Sequence, residues 1–160
     1  MFSDIYYNHK TGQLFTNKNG VIKNVGGKHN GYLTFQKEGK VYRCHRYIWE
    51  MHNGAIPDGY IIDHINGVRD DNRLENLRLC TPSQNKMNRG LSKNNRSGYK
   101  GVIFYKRPDG YKKKKPWRVW IQYENKYYSK HGFATAREAA IHYNEKAVEF
   151  FGEFARLNKV

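Results

Sequence analysis

The sequence predicts an α+β chain in which small antiparallel sheets outnumber helices. Two observations carry this reading. The first forty-odd residues alternate short aromatic or β-branched runs with Gly and Asn turns, and the same rhythm returns beyond residue 100. Helical spacing of apolar residues, by contrast, occurs in three places only, each opened or closed by a capping signal.

Taken in order, Ile5-Tyr6-Tyr7, Leu14-Phe15-Thr16, Val21-Ile22, Tyr32-Leu33-Thr34-Phe35 and Val41-Tyr42 read as strands. Pairs such as Asn19-Gly20 and Glu38-Gly39 turn them into hairpins, with glycine supplying the positive φ of tight turns. His45 to Met51 is a short helix with Tyr47, Ile48 and Met51 on one side, stopped by Asn53-Gly54. After the turn Ile56-Pro57-Asp58-Gly59, Tyr60 to Ile65 is a strand, Asn66 to Asn76 a polar loop, and Leu77 to Cys80 a second strand. Thr81 as N-cap and Pro82 at the first helical position then open a helix to about Arg89.

Gly90 to Ser97 has almost no apolar content and reads as a linker, dividing the chain into domains at 1–89 and 98–160. Beyond it Gly101 to Tyr105, Trp117 to Tyr123 and Lys126 to Lys130 form a three-stranded antiparallel sheet, interrupted by the basic loop RPDGYKKKKP and by Glu124-Asn125. Thr135 and Glu138 make a capping box for a final helix, with Ala139, Tyr143, Ala147 and Phe150 on one face and Gly152 at its end.

Charge points to a polyanionic partner: 29 Lys plus Arg stand against 14 Asp plus Glu, a net +15. The excess is uneven. Residues 1–88 hold 12 basic and 8 acidic side chains, and residues 89–160 hold 17 and 6, so nucleic-acid affinity is expected mainly in the C-terminal half. No apolar run approaches the ~18 residues of a membrane span, and no long basic amphipathic helix suggests a membrane surface. Cys44 and Cys80 are isolated, which excludes both a disulfide framework and a CxxC zinc site and suits a reducing, intracellular setting. The opening MFSDIYYNHK lacks a secretory signal pattern.

The stretch DHINGVRDDNRLENLRLCTPSQNKMN, from Asp63, carries the chemistry. Two strands flanking a polar loop and leading into a helix can converge Asp63 and Asn85 on one hard divalent cation. An oxygen shell left half empty for water and phosphate suits Mg²⁺, or Mn²⁺, better than zinc. His64 lies on the opposite side of its strand from Asp63, where it can act as general base toward a water, with Asn76 orienting the ring. His45 and Asn88 are supporting candidates, although Asn88, like Asn72, reads more simply as a turn or cap residue. Lys112, Lys113, Lys114 and Lys115 can neutralise phosphates without specifying sequence.

Residues 43–88 closely resemble the HNH nuclease module of phage and intron-encoded homing endonucleases, in which HRxIW, G-x-I-P, DHING, NRLENLR and TPSQNxxN recur in this order. The resemblance implies the ββα-metal fold, one metal ion per site held by Asp63 and Asn85, His64 as general base and Asn76 as the orienting residue. Residues 98–158 resemble the ethylene-response-factor (Apetala-type) DNA-binding domain, through a G-V pair, Trp117-x-Val119-x-Ile121, Phe133-x-Thr135, Ala139-Ala140, Tyr143 and the closing Gly152 to Asn158. That likeness implies a sheet lying in the major groove, with Lys100, Lys106, Arg107, Arg118 and Trp120 as contacts, while Trp117 reads as core. Two departures are His131 where the family usually has glycine and a longer, lysine-rich first loop.

Together these readings imply a homing-type endonuclease acting on double-stranded DNA inside a phage's bacterial host. It would leave 5′-phosphate and 3′-hydroxyl ends, nick as a monomer or weak dimer, and need no small-molecule cofactor beyond the metal. The alternatives are a DNA-binding regulator on a non-catalytic HNH scaffold and, with less behind it, an RNA-binding accessory protein.

Overall fold

The computed structural model describes residues 4–105 and 114–160. Lys106, Arg107, Lys112 and Lys113 lie outside the described residues. The chain divides into two compact units, Met1–Pro82 and Ser83–Val160.

The first unit opens with six strands in two sheets. β1 (Ile5–Asn8), β2 (Gln13–Lys18) and β3 (Val21–Val25) form one antiparallel meander, and β4 (Gly27–His29), β5 (Tyr32–Lys37) and β6 (Lys40–Arg43) form the next. Three of the turns use an Asx- or Glu-Gly pair with both residues at positive φ: Asn19-Gly20, Asn30-Gly31 and Glu38-Gly39. This is the geometry whose twist matches the paired strands. The Asn30-Gly31 hairpin extends the expected pattern by a short strand over 27–29.

β6 runs directly into α1 (Cys44–Asn53), which stops at Gly54, φ 81°. The helix buries Cys44, Tyr47 and Ile48 against Ile5, Leu14, Phe35, Ile62 and Leu77, so the hairpins and the β7–β8 ribbon share one core. β7 (Ile61–His64) pairs with β8 (Leu77–Cys80) in the register Ile61↔Cys80 to His64↔Leu77.

In the second unit α2 (Pro82–Met87) leads toward β9 (Val102–Phe104), β10 (Trp117–Tyr123) and β11 (Lys126–Phe133), a sheet ordered β11-β10-β9. α3 (Ala136–Phe151) packs behind it. Thr135 Oγ1 accepts the Glu138 N–H at 3.1 Å and Glu138 Oε2 accepts the Ala134 N–H at 2.9 Å, the reciprocal cap expected from the sequence. Alternation along β10 sends Val119 and Ile121 into a core with Val102, Phe133, Ala139, Ala140, Tyr143, Ala147 and Phe151. Phe151, four residues after Ala147, is the buried aromatic at the helix end; Phe150, expected there, is only partly buried and stacks on Tyr123 at 5.7 Å.

The unit boundary falls before the expected linker at 90–97. Met87 packs against the second unit's core, and the Lys100 ammonium donates to the Met87 carbonyl, which binds the end of α2 to that unit.

Candidate active site

β7 and β8 form a two-faced ribbon. Residues directly opposite in an antiparallel pair share a face, so Ile62 and His64 lie with Leu79 and Leu77, toward the core, and Asp63 lies with Arg78 on the other face. Both members of the Asp63-His64 pair are thus buried, at 7% and 4% exposure, although they point opposite ways.

On its face Asp63 meets Arg78, whose Nε and Nη2 donate to Asp63 Oδ2 at 3.1 and 2.9 Å. Arg78 carries no motif signal of its own; it is the residue across the ribbon from the carboxylate, and the long intervening loop hides that register. Desolvation makes a buried carboxylate costly unless a cation or donors compensate it. Asn85 lies in α2, half-buried.

On the core face the His64 ring is enclosed by parts distant in sequence. His45, at the start of α1, meets it edge to face with centroids 5.0 Å apart, and Tyr32 of β5 lies 6.1 Å away. Arg43 and Arg69 bring guanidinium carbons to 5.2 and 4.9 Å from the Tyr32 ring centroid, adding positive charge at the rim. His45 is 3% exposed and its Nδ1 has no hydrogen-bond partner. Burial, reinforced by His64 and by Arg43 and Arg46, pushes its pKa down to about 3, so it is neutral at pH 7. The expected supporting role of His45 thus corresponds to a position against the His64 ring.

The Asn72 Oδ1 lies 2.9 Å from His64 Nε2, within hydrogen-bond reach as an acceptor. Asn76, expected to orient the ring, instead ties the loop together. Its Oδ1 accepts the Asn66 N–H at 3.0 Å, and its Nδ2 donates to Asn66 Oδ1 at 3.0 Å and to the Asp71 carbonyl at 2.8 Å. The physical reason is placement: Asn76 ends the turn of 3₁₀ helix at Leu74–Asn76, just before β8, where it closes the loop's two ends on each other, and its backbone carbonyl accepts from Ile65 N–H at 2.9 Å. Asp71, gripped by Arg73 through Nε and Nη2 at 2.8 and 2.7 Å, has its carboxyl held down to about 2.

Among the described residues no group of three or more His, Cys, Asp or Glu side chains gathers into a metal cage. The buried carboxylate of Asp63 is a hard oxygen donor, of the kind that fits an ion keeping most of its shell as water and substrate oxygens, as Mg²⁺ does.

The second unit separates the expected DNA contacts. Arg118, Trp120 and Gln122 alternate with buried Val119 and Ile121 along β10, so they line the face away from α3, with Trp120 39% exposed. Lys114 and Lys115 are exposed. Lys100 is turned inward: besides its bond to Met87, its backbone N–H donates to Asn158 Oδ1 at 2.6 Å, and burial pulls its pKa down to about 8. Its expected place as a DNA contact is therefore taken by an internal bond. Asn88 is buried just beyond the end of α2.

Residues 42–87 match the family described as HNH endonuclease. Protein 3.8 of Escherichia phage T7 is 36% identical over 118 residues, spanning 74% of this chain and 92% of its own length. An uncharacterized HNH endonuclease of Acanthamoeba polyphaga mimivirus is 36% identical over 132 residues, 82% of this chain and 64% of that protein. The uncharacterized gene 5.3 protein of Enterobacteria phage T3 is 40% identical over 73 residues, covering 41% of this chain and 71% of the relative. No solved structure matches the chain. Among the described residues no helix is long and apolar enough to cross a membrane. With a buried Asp-His pair on a two-stranded ribbon inside the matched segment, this chain carries an HNH endonuclease domain over residues 42–87 and is a nuclease.

Proposed function

We propose that the protein is a homing-type endonuclease that hydrolyses one phosphodiester bond of double-stranded DNA per encounter, nicking as a monomer inside a phage-infected cell. The observation that carries this reading is the burial of the consecutive residues Asp63 and His64 on opposite faces of one short strand, an arrangement that supports a hard-oxygen ligand beside a base. His64 takes a proton from the attacking water, a step worth roughly 10²–10⁴ in rate. The P–O3′ bond then breaks to leave a 5′-phosphate and a 3′-hydroxyl. Asp63 and Asn85 would hold one Mg²⁺ or Mn²⁺, which supplies charge neutralisation at the scissile phosphate and at the departing oxygen.

The second unit is the DNA-holding part of this reading. Its three-stranded sheet backed by one helix is the arrangement that the likeness to ethylene-response-factor domains implies, and Arg118 and Trp120 stand on the open face of that sheet. Lys114 and Lys115 would add backbone contacts that position the protein without reading bases.

The test is cleavage of supercoiled plasmids carrying sequence from the coding locus, in Mg²⁺, in Mn²⁺, in EDTA, and with His64→Ala. Nicked circles in either metal, absent with EDTA and reduced at least ~10²-fold by His64→Ala, are the expected result. Plasmid left intact by the wild type in both metals would refute this proposal and favour a DNA-binding role on an HNH scaffold.

A further inference from the structure

We infer that Asn72 is the residue that positions the His64 imidazole, and that the N-terminal β1–β2 hairpin serves as its buttress. The inference rests on the reading of His64 as the base.

Asn72 has no exposed surface, and its side chain makes one hydrogen bond, from Oδ1 to His64 Nε2 at 2.9 Å. Its Nδ2 is buried without a partner. A buried donor left unmade is unfavourable, so an amide kept only to shape a turn would be poorly placed here. What this amide does obtain is the contact with the imidazole. An amide oxygen can only accept, so that bond requires the proton of neutral His64 to sit on Nε2. The lone pair is then on Nδ1, the nitrogen that would take the proton from water in this reading.

Asn72 is held from a direction that the HNH segment itself does not supply. Tyr7, on β1, accepts the Leu74 N–H at 2.8 Å and reaches the Asn72 carbonyl with its own hydroxyl at 3.4 Å. Gly12, in the turn between β1 and β2, has φ +72°, and a Cβ there would lie 2.5 Å from the Arg73 nitrogen and 2.7 Å from the Asn72 carbonyl carbon. The hairpin turn therefore presses directly on the backbone of residues 72 and 73. Asn8 stabilises that turn by accepting the N–H groups of Lys10 and Thr11 at 3.0 and 3.2 Å. A segment outside the matched family region thus fixes the orientation of the base through Asn72, acting as a positioning element that touches no substrate.

The experiment reads the His64 tautomer and the kinetics separately. Two-bond ¹H–¹⁵N correlation spectra of the full chain in EDTA, at about pH 8.5 where an ordinary imidazole is neutral, are expected to show His64 protonated on Nε2. Asn72→Leu should convert that pattern to a tautomer mixture and lower kcat roughly 10²-fold with KM unchanged, whereas Asn72→Asp, which keeps an acceptor oxygen in place, retains the Nε2–H and most of the activity. If Asn72→Leu fails to fold, Tyr7→Phe tests the buttress with the ring retained, and should shift the tautomer ratio in the same direction. A wild-type His64 protonated on Nδ1, or an unchanged spectrum in the folded Asn72→Leu and Tyr7→Phe variants, overturns the inference. Because the spectra need neither DNA nor metal, inactivity of the wild type on DNA would count against the base reading alone.

Discussion

Replacing Arg78 by methionine keeps an unbranched apolar stem but removes the two N–H donors that meet Asp63 Oδ2 at 3.1 and 2.9 Å. Both side chains are about nine-tenths buried, at 10% and 8% exposure. Water therefore cannot take over from the guanidinium, and breaking a buried pair from one side costs about 3–5 kcal/mol, against about 0–1 kcal/mol for an exposed pair. For a unit of this size each kcal/mol moves the midpoint by about 4–8 °C, so Tm should fall by at least ~12 °C. Trp49 is the first unit's only tryptophan, so urea unfolding followed by its fluorescence in a Trp117→Phe/Trp120→Phe background isolates the effect. Adding Asp63→Asn to Arg78→Met should recover part of the loss, because the uncompensated charge is then gone. A loss below about 1 kcal/mol, or a double variant no better than Arg78→Met alone, would refute the assignment of a buried, mutually dependent pair.

Three further outcomes follow from other parts of the molecule. His45 has a pKa depressed to about 3, so the unfolded chain binds a proton there that the native state refuses; stability should fall by up to about 1.4 kcal/mol per pH unit as pH drops from ~6.5 toward 3. His45→Phe, measured by urea titration across that range, should flatten this dependence by one proton, and an unchanged slope would show that His45 does not supply it. At Gly101, φ +69°, a Cβ would lie 2.2 Å from Tyr143 Cε2 in the second unit's core, so Gly101→Ala should destabilise by at least ~2 kcal/mol; a neutral effect by differential scanning calorimetry would contradict that packing. On the open face of β10, Arg118→Ala should weaken DNA binding in gel-shift titrations and reduce the slope of log K against log salt by about 0.9 if the guanidinium meets phosphate, and an identical slope would remove Arg118 from the contact set.

Local chemistry made much of this legible. Asn19-Gly20 announces its hairpin because few other pairs accept two positive φ angles in succession. The Thr135–Glu138 cap and the alternation of Val119 and Ile121 with Trp120 likewise depend only on neighbours in the chain. Asp63 and His64 stand out by residue type and spacing, and both are buried, on opposite faces of one strand. Side-chain placement stayed hidden where the deciding partner is remote. Asn76 and Asn72 are the same residue type in one loop, and spacing cannot say which reaches His64. Lys100 carries a charge like its neighbours', yet its partner is a backbone carbonyl 13 residues earlier.

By itself, therefore, the sequence determined the strand-and-turn pattern, the basic excess and the presence of the Asp63-His64 pair, because each depends on residue type and short-range geometry. Tertiary structure alone decided that Arg78 stands opposite Asp63, that Asn72 meets the imidazole, and that Tyr7 and Gly12 lie against the backbone of residues 72–74 from sixty or more residues away in the chain. Those contacts require loops to close and strands to choose a register, and that choice is made by burial of the whole core rather than by any local run of residues.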